Sequence, residues 1–219
     1  MNITNPTLIL NVERCKRNIK FMSDKAKRCG LKFRPHFKTH QSHEIGRWYR
    51  DEGVTAITVS SIKMAEYFAE DGWEEITIAF PINIRKIDAI NDLAQKVKLN
   101  VLISSLETPA LLDAGLKNRV YTYIEIDSGS NRSGFQYNNH SEISQVRQEI
   151  QASQHLELKG YYSHAGHTYD ARSAEEVKQI AKTSISRFIS LRQDEESELE
   201  FCWGDTPSCS VLDTFDGIQ

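Results

Sequence analysis

Lys38 lies in a basic and aromatic run, Arg34-Pro35-His36-Phe37-Lys38-Thr39-His40, that follows an apolar stretch of strand length. Nearby positive charge and partial desolvation both lower the pKa of an amine, which makes a lysine a usable nucleophile towards a carbonyl group. Most lysines of a soluble chain are simply exposed, so a plain surface role is the alternative. The position of this amine among an arginine and two histidines favours a Schiff-base role.

A second candidate site is the run Gly204-Asp205-Thr206-Pro207-Ser208, which also follows an apolar stretch. Backbone N–H groups of a glycine-containing turn and the start of a helix together bind phosphate, and the hydroxyl groups of Thr206 and Ser208 can add hydrogen bonds. An ordinary strand-to-helix turn with an early proline is the alternative. Because the carboxylate of Asp205 would repel a phosphate, we expect it to turn away from the anion.

His164, His167 and Tyr169 follow a third strand-like stretch. Two nearby histidines suggest a metal site, but residues three apart on a strand point to opposite faces, and no third ligand lies close in sequence. The sequence therefore predicts no metal site here. We expect a histidine that packs on a bound ring, with Tyr169 as hydrogen-bond donor or acid.

Arg132 lies in a polar loop with Gly129 and Gly134. Its guanidinium could pair with a neighbouring carboxylate on the surface, or it could bind an anionic oxygen of a cofactor. Glu125 and Asp127 alternate with apolar residues, so both point to one face of the preceding strand, where we expect positively charged partners.

These clusters follow strands in a chain where strand-like and helical stretches alternate from start to finish. The predicted strands cover 7–10, 31–37, 56–60, 76–80, 99–103, 120–127, 158–164 and 199–203. The predicted helices cover 12–29, 62–71, 84–97 and 141–153, and a further helix begins at Ser173, which fits a capping box with Glu176.

Such alternation predicts an α/β fold with a parallel sheet that is buried on both faces. After the opening strand there are roughly seven βα strands, one short of the eight that close a (β/α)8 TIM-like barrel. A doubly wound sheet is the alternative, but the glycine-rich turn that marks it is missing. We expect one domain over residues 1–219, forming a barrel that is incomplete at its C-terminal end.

The composition excludes several classes of protein. The net charge is −3, so the chain lacks the basic surplus of a nucleic-acid-binding protein. No apolar run approaches the ~20 residues of a membrane span, and the first ten residues do not resemble a signal peptide. The four cysteines lack metal-binding spacing and are expected to be reduced. We therefore expect a cytoplasmic protein without nucleic-acid or membrane partners.

The Lys38 run, Glu125-Ile126-Asp127-Ser128-Gly129 with Arg132 and Gly134, Gly166-His167-Thr168-Tyr169, and the Gly204 run together resemble the D-threonine aldolase and D-serine dehydratase family. Members of this family are pyridoxal 5'-phosphate (PLP) enzymes whose N-terminal domain is similar to that of alanine racemase. The resemblance runs in order from Pro6 to the end of the chain. Each motif alone is a weak to moderate indication of this family, but four motifs in the family's order at the ends of strands are a strong indication.

The resemblance implies roles for individual residues. Lys38 would carry PLP as a Schiff base, and Arg132 would approach the ring or its phenolic oxygen. The resemblance and the position together suggest catalytic roles for Lys38, His167 and Tyr169. The implied cofactor-binding residues are Lys38, His36, Arg132, His164, Tyr169, Gly204, Asp205 and Thr206. The substrate would be a β-hydroxy-D-amino acid, cleaved between Cα and Cβ by an aldolase or dehydrated by a dehydratase.

The chain also departs from the family pattern. Family members have a C-terminal β domain with a metal pair, and we find no counterpart here, so a divalent metal is expected only if that domain is present. The site is usually completed by a second subunit, so the full-length form would be a homodimer, and we expect these 219 residues alone to show weak or no turnover. Three readings stay open: a PLP-dependent lyase or a fragment of one, a racemase or PLP-homeostasis type of barrel, and a catalytically silent PLP-binding module.

Overall fold

The computed structural model describes residues 4, 5, 7, 9–192 and 198–219. Within them, the strands are β1 (Ala56–Val59), β2 (Glu75–Pro81), β3 (Lys98–Ile103), β4 (Val120–Asp127), β5 (Phe135–Gln136), β6 (Leu156–Ser163) and β7 (Glu200–Trp203). The α-helices are α1 (Val12–Arg28), α2 (His43–Asp51), α3 (Ile62–Glu70), α4 (Ile87–Ala94), α5 (Thr108–Asp113), α6 (His140–Ala152), α7 (Ala174–Ile189) and α8 (Thr206–Val211). Short 3-10 helices cover Phe37–Thr39, Ile84–Lys86 and Gly166–Asp170.

The sheet is parallel throughout, and its strands follow one another in the order β1-β2-β3-β4-β6-β7, with β5 paired to β4 outside this path. A doubly wound sheet would reverse direction at a switch point, and this order does not. The alternation of strands and helices together with this order makes the fold an incomplete (β/α) barrel, which confirms the predicted fold class.

Two predicted strands are wrong. Residues 31–35 are extended but not part of a strand, and His36 makes a single parallel bridge to Thr58 of β1. Pro35 has no N–H group, so this segment cannot form a full ladder, and its carbonyl accepts one hydrogen bond from the Thr58 N–H group. At the opening strand predicted for 7–10, the described residues Thr7, Ile9 and Leu10 are not in a strand, and Leu8 lies outside the described residues.

The main core lies between the sheet and the helices. One face of each strand supplies it, with Ile57 and Val59 from β1, Ile76 and Ile78 from β2 and comparable pairs from later strands. At the start of α7 the side chain of Ser173 accepts a hydrogen bond from the Glu176 N–H group, as the capping pattern predicts. No helix in the described ranges is both long enough and apolar enough to cross a membrane.

Strand β6 contains a β-bulge. Thr122 of β4 pairs with Leu158, but the next residue, Tyr123, pairs with Gly160, so Lys159 is an extra residue in β6. A Cβ atom on Gly160 would lie 1.9 Å from the carbonyl oxygen of Glu200 in β7. Only glycine therefore allows β7 to approach β6 at this bulge.

Candidate functional site

Lys38 lies in the 3-10 helix Phe37–Thr39, immediately after the segment that bridges to β1. The Nδ1 atom of His36 accepts a hydrogen bond of 3.2 Å from the Lys38 N–H group, which closes this turn. The Lys38 side chain is exposed, and its ammonium group has no hydrogen bond or ion pair within the described part of the chain. The turn therefore presents a free amine at the carboxyl end of the sheet.

An aromatic cluster under the Lys38 turn holds it in place. Phe37 is fully buried, and its ring contacts His40, Tyr49, Phe68 and Trp73 at centroid distances of 4.5–5.2 Å. Burial lowers the pKa of His40 to about 4, and its Nδ1 atom accepts a hydrogen bond of 3.1 Å from the Ser42 N–H group, so that nitrogen is unprotonated. His40 is therefore neutral at physiological pH and packs as an aromatic ring. The sequence motif that contains His40 did not predict this packing role.

Two neutral histidines lie near the Lys38 amine. Burial, together with the charge of Lys38 and the proximity of His164, lowers the pKa of His36 to about 3. Burial also lowers the pKa of His164, and the charges of Arg132 and Lys38 add to this effect. The Nδ1 atom of His164 lies 2.9 Å from the carbonyl oxygen of Gly204 and must donate to it, so its Nε2 atom is unprotonated. This bond joins the end of β6 to the turn after β7.

Asp205 supports the turn after β7 rather than facing an anion. Its buried carboxylate accepts hydrogen bonds from the Thr168 hydroxyl group at 2.6 Å and from the Ser208 N–H group at 2.9 Å, which caps α8. Both hydrogen bonds end on Oδ1, and Oδ2 is buried without a partner among the described residues. At this turn the Ser208 hydroxyl group is buried without a hydrogen-bond partner among the described residues.

Tyr169 lies beside the same turn. Its hydroxyl oxygen accepts a hydrogen bond of 3.4 Å from the Thr206 N–H group, and its ring centroid lies 6.4 Å from that of His164. The side chain is 58% exposed. The structure thus brings together four of the predicted site residues, His164, Tyr169, Gly204 and Thr206.

His167 has different neighbours from the other predicted site residues. Its Nε2 atom lies 3.3 Å from the Ser184 hydroxyl group of α7, and a Cβ atom on Gly129 would lie 3.5 Å from the same nitrogen. Its Nδ1 atom is buried without a partner among the described residues. The ring therefore packs between α7 and the loop after β4, and the described contacts include no hydrogen bond to His36 or His164.

Glu125 and Asp127, at the end of β4, accept hydrogen bonds from neutral groups. The prediction that they have positively charged partners is therefore wrong. Glu125 accepts hydrogen bonds from the hydroxyl groups of Ser104 at 2.6 Å and Ser133 at 2.8 Å. Asp127 accepts from the N–H groups of Gly129 and Asn131 and from a side-chain amide. Several uncharged donors satisfy a buried carboxylate as well as one cation does, and here they order the loop that carries Arg132.

Arg132 is exposed at that loop and makes no hydrogen bond or ion pair within the described ranges. Its charge lowers the pKa of His164, which places it near the histidine pair. Gly134 allows the loop to turn back, because its φ is +93° and a Cβ atom there would lie 2.6 Å from the Glu125 carbonyl oxygen. Lys38 and Arg132 thus lie at this end of the sheet without a charged partner among the described residues.

The described residues contain no group of three or more His, Cys, Asp and Glu side chains that could hold a metal ion. The four cysteines are free. The chemical resources of this end of the sheet are therefore an amine, two neutral imidazoles, a phenol, a guanidinium and the turn after β7.

Known proteins similar to this chain include enzymes that act on D-amino acids. D-serine dehydratase of Dictyostelium discoideum is 26% identical over 195 residues, which cover 82% of this chain and 49% of that protein. D-threo-3-hydroxyaspartate dehydratase of Delftia sp. (strain HT23) is 23% identical over 226 residues, which cover 100% of this chain and 59% of that protein. The chain spans about half the length of the curated relatives it matches.

Solved structures share the fold. The structure of the Delftia dehydratase superimposes with a TM-score of 0.90 at 23% identity, covering 99% of this chain and 59% of that one. D-threonine aldolase from Filomicrobium marinum superimposes with a TM-score of 0.85 at 21% identity, covering 96% of this chain and 60% of that one. The family model described as "Alanine racemase, N-terminal domain" matches residues 10–201. This chain therefore belongs to the alanine racemase N-terminal domain family.

Proposed function

We propose that this chain binds PLP covalently through Lys38 and forms the cofactor-binding barrel of a lyase that acts on β-hydroxy-D-amino acids. The observation that carries the proposal is the unpaired Lys38 amine beside the neutral histidines His36 and His164. Neutral imidazoles leave the positive charge of this region on Lys38 and Arg132, where an anionic cofactor would bind.

The residues of the turn after β7 fit a phosphate group. The Thr206 N–H group has only the long 3.4 Å contact with Tyr169, and the buried Ser208 hydroxyl group lacks a partner among the described residues. The Oδ1 atom of Asp205 accepts hydrogen bonds from Thr168 and Ser208, so this oxygen is occupied by the protein. Thr206 and Tyr169 would hold the phosphate beside Gly204, whose own N–H group donates to the Ser163 carbonyl oxygen at 3.3 Å, and Lys38 would hold the aldehyde carbon.

When bound, PLP supplies an electron sink that stabilises negative charge at the α-carbon of an attached amino acid. The protein provides binding and proton transfer. Lys38 would attach the cofactor, and its amine would be the group that takes or returns a proton at the α-carbon of the substrate. His164 has an unprotonated Nε2 atom that can accept a proton at neutral pH, since its Nδ1 proton is committed to Gly204. Arg132 would bind an anionic oxygen at the open side of the site.

The substrate class rests on the relatives. D-serine dehydratases, D-threo-3-hydroxyaspartate dehydratase and D-threonine aldolase are named for D-amino acids that carry a β-hydroxyl group. Elimination of that hydroxyl group and cleavage of the Cα–Cβ bond both begin with electron withdrawal through the same cofactor. We therefore propose the substrate class, and the second experiment distinguishes elimination from cleavage of the Cα–Cβ bond.

The first experiment tests the cofactor lysine. We expect the purified protein to turn yellow when PLP is added. Reduction with borohydride should then leave the pyridoxyl group on the peptide that contains Lys38. Lys38→Ala should abolish both signals, whereas Lys63→Ala, at an exposed position of α3, should leave both unchanged. Label on other peptides, or equal label in the Lys38→Ala variant, would refute the proposed attachment.

The second experiment tests the reaction. The PLP-loaded protein is given D-serine, D-threonine and D-threo-3-hydroxyaspartate in turn, with the L-isomers as controls. Release of a keto acid and ammonia would assign a dehydratase, and release of glycine with an aldehyde would assign an aldolase. Interconversion of D- and L-isomers without cleavage would instead make this barrel a racemase and contradict the lyase proposal.

A further inference from the structure

The two ends of the sheet are not joined by strand pairing in the described part of the chain. The segment that ends in His36 bridges to β1, and β7 pairs with β6. Yet the proposed cofactor must reach both ends, because Lys38 follows the first segment and Gly204 follows β7. Something other than the backbone ladder must fix the distance between these two turns.

Arg34 spans that gap inside the barrel. Its Nη2 atom lies 2.8 Å from a carboxylate oxygen of Glu75, the first residue of β2, and 3.4 Å from one of Glu200, the first residue of β7. Its Nη1 atom donates to the Tyr123 hydroxyl group at 3.1 Å. The Arg34 side chain is 7% exposed. A planar fork that donates in two directions suits this bridging role better than a lysine would.

Lys159, the extra residue of the β6 bulge, completes the group. Its ammonium lies 2.8 Å from Glu75 and 3.3 Å from Glu200. We call Arg34, Glu75, Lys159 and Glu200 the interior ion cluster. These four side chains carry two positive and two negative charges, and Glu75 also pairs with the more exposed Lys32 at 3.0 Å and Lys98 at 3.9 Å; the opposite charges offset the cost of burying charge.

The interior ion cluster lies directly below the proposed site. Arg34 precedes Lys38 by four residues, and Glu200 precedes Gly204 by four residues. At about 3.3 Å per extended residue, the turn after β7 is roughly 13 Å along the chain from the cluster, and the Lys38 turn is nearer because Phe37–Thr39 is a 3-10 helix. A displacement between the first segment and β7 would therefore pass directly to the two turns that hold the ends of the cofactor.

We propose that Arg34 is a positioning residue whose pairing with Glu200 fixes the distance between the Lys38 turn and the phosphate turn after β7. This inference rests on the proposed function, since it assumes that PLP spans both turns. It assigns Arg34 no direct contact with the cofactor. Binding at two fixed points is tight only when their spacing matches the ligand.

Two double variants that keep the net charge of the protein test the proposal, and their results are compared with each other. Lys159→Gln/Glu200→Met leaves Arg34 paired with Glu75 and removes its ion pair with β7. Lys159→Gln/Glu75→Met leaves the ion pair with Glu200, and the contact of Arg34 with the Cys202 thiol at 3.3 Å is common to both variants. Both variants lose one positive and one negative charge, so their change in net charge is matched. The Glu75 variant also loses the ion pairs with Lys32 and Lys98, which makes it the more severe control, and far-UV circular dichroism monitors folding.

The readout is the dissociation constant for PLP and for pyridoxal, which lacks the phosphate group. We expect loss of the bridge to weaken PLP binding about tenfold or more, with pyridoxal binding within about threefold of wild type because pyridoxal needs only the Lys38 turn. The bridge-retaining variant should bind both ligands within about threefold of wild type. Equal weakening in the two double variants, or equal weakening for the two ligands, would overturn the proposal.

If the variant without the bridge to Glu200 does not fold, Glu200→Asp replaces it in the binding experiment. This substitution keeps the negative charge and shortens the side chain. It should again weaken PLP binding more than pyridoxal binding, and unchanged PLP binding would count against the proposal. Failure of wild-type protein to label at Lys38 would instead refute the proposed function itself, so the two failures are distinguishable.

Discussion

The two ends of the barrel differ in whether their charged side chains form ion pairs. At the amino ends of the strands, the interior ion cluster pairs every charged group with an opposite charge within 3.4 Å. At the carboxyl ends, Lys38 and Arg132 have no ion pair in the described ranges, and the nearby histidines are neutral. Paired charges in an interior specify structure, whereas unpaired charges at a rim are available to a ligand. One end of the molecule is thus built for stability and the other for chemistry.

Replacement of Arg34 should give the largest effect on stability. Arg34→Met removes a buried guanidinium and leaves the partly buried Glu75 and Glu200 with one fewer positive partner, so we expect a loss of about 3 kcal/mol in the free energy of unfolding. Urea denaturation measures it. Arg119→Met is the matched control, because Arg119 pairs with Glu157 at 3.0 Å on the surface and should cost less than about 1 kcal/mol. Equal losses would erase the contrast between interior and surface charge.

Thr168→Val should have the next largest effect. It removes the hydroxyl group that donates to Asp205 and leaves that buried carboxylate with the Ser208 N–H group alone. Hydrogen bonds to charged groups contribute about 1.5–3 kcal/mol, so we expect a loss of about 2 kcal/mol and weaker PLP binding. The exposed Thr214→Val is the control. A stable Thr168→Val variant with normal PLP affinity would show that Asp205 does not support the phosphate turn.

Acidification should reduce stability through the buried histidines. Burial lowers the pKa of His36 from 6.5 to about 3, so between these values the unfolded chain binds a proton that the folded chain excludes. Stability should therefore fall as the pH drops below 6.5, by about 1 kcal/mol at pH 5.5 from His36 alone. Below pH 4.5 a second loss should begin, because burial raises but hydrogen bonds from Lys159 and Lys32 lower the pKa of Glu75, with a net value of about 2.

Urea denaturation from pH 7.5 to pH 5.5 measures the first loss. His36→Asn should reduce this dependence, since asparagine cannot titrate, and the remaining dependence belongs to His40 and His164. His140→Asn, at an exposed position in α6, should leave it unchanged. Parallel profiles for wild type and His36→Asn would rule out His36 as a buried neutral group.

Lys38→Ala should have the smallest effect on stability. The side chain is exposed and has no partner in the described part of the chain, so we expect a change within about 0.5 kcal/mol by urea denaturation. The same variant should lose covalent PLP binding completely. A large loss of stability would mean that Lys38 belongs with the structural end of the barrel.

Much of the fold follows from local sequence patterns. The predicted strand at 120–127 coincides with β4, and the predicted strands 56–60 and 99–103 differ from β1 and β3 by one residue. These stretches are apolar, β-rich and bounded by polar turns, so the local signal and the tertiary structure agree. The segment at 31–37 fails because its pairing depends on Pro35 and on a neighbouring strand, which local hydrophobicity does not report.

The site was less predictable, because its details depend on contacts between distant residues. That the Asp205 carboxylate turns away from a phosphate stays a prediction, and its hydrogen bonds to Thr168 and Ser208 depend on contacts that local sequence does not report. The partners of Glu125 were missed because Ser104 lies 21 residues away and resembles any loop serine. The role of Arg34 was missed for the same reason, since Glu200 lies 166 residues away.

The extra residue in β6 has a consequence for how this barrel can vary. Before the bulge, Glu157 shares a face with Tyr121 of β4, and after it Tyr162 shares a face with Glu125. In an uninterrupted strand of the same sequence the even-numbered residues would lie on the outer face, and His164 would point towards the helices instead of towards Gly204. Deletion of the Lys159 codon would instead remove the bulge, leave Gly160, Tyr162 and His164 on their present faces, and take one ammonium group out of the interior ion cluster.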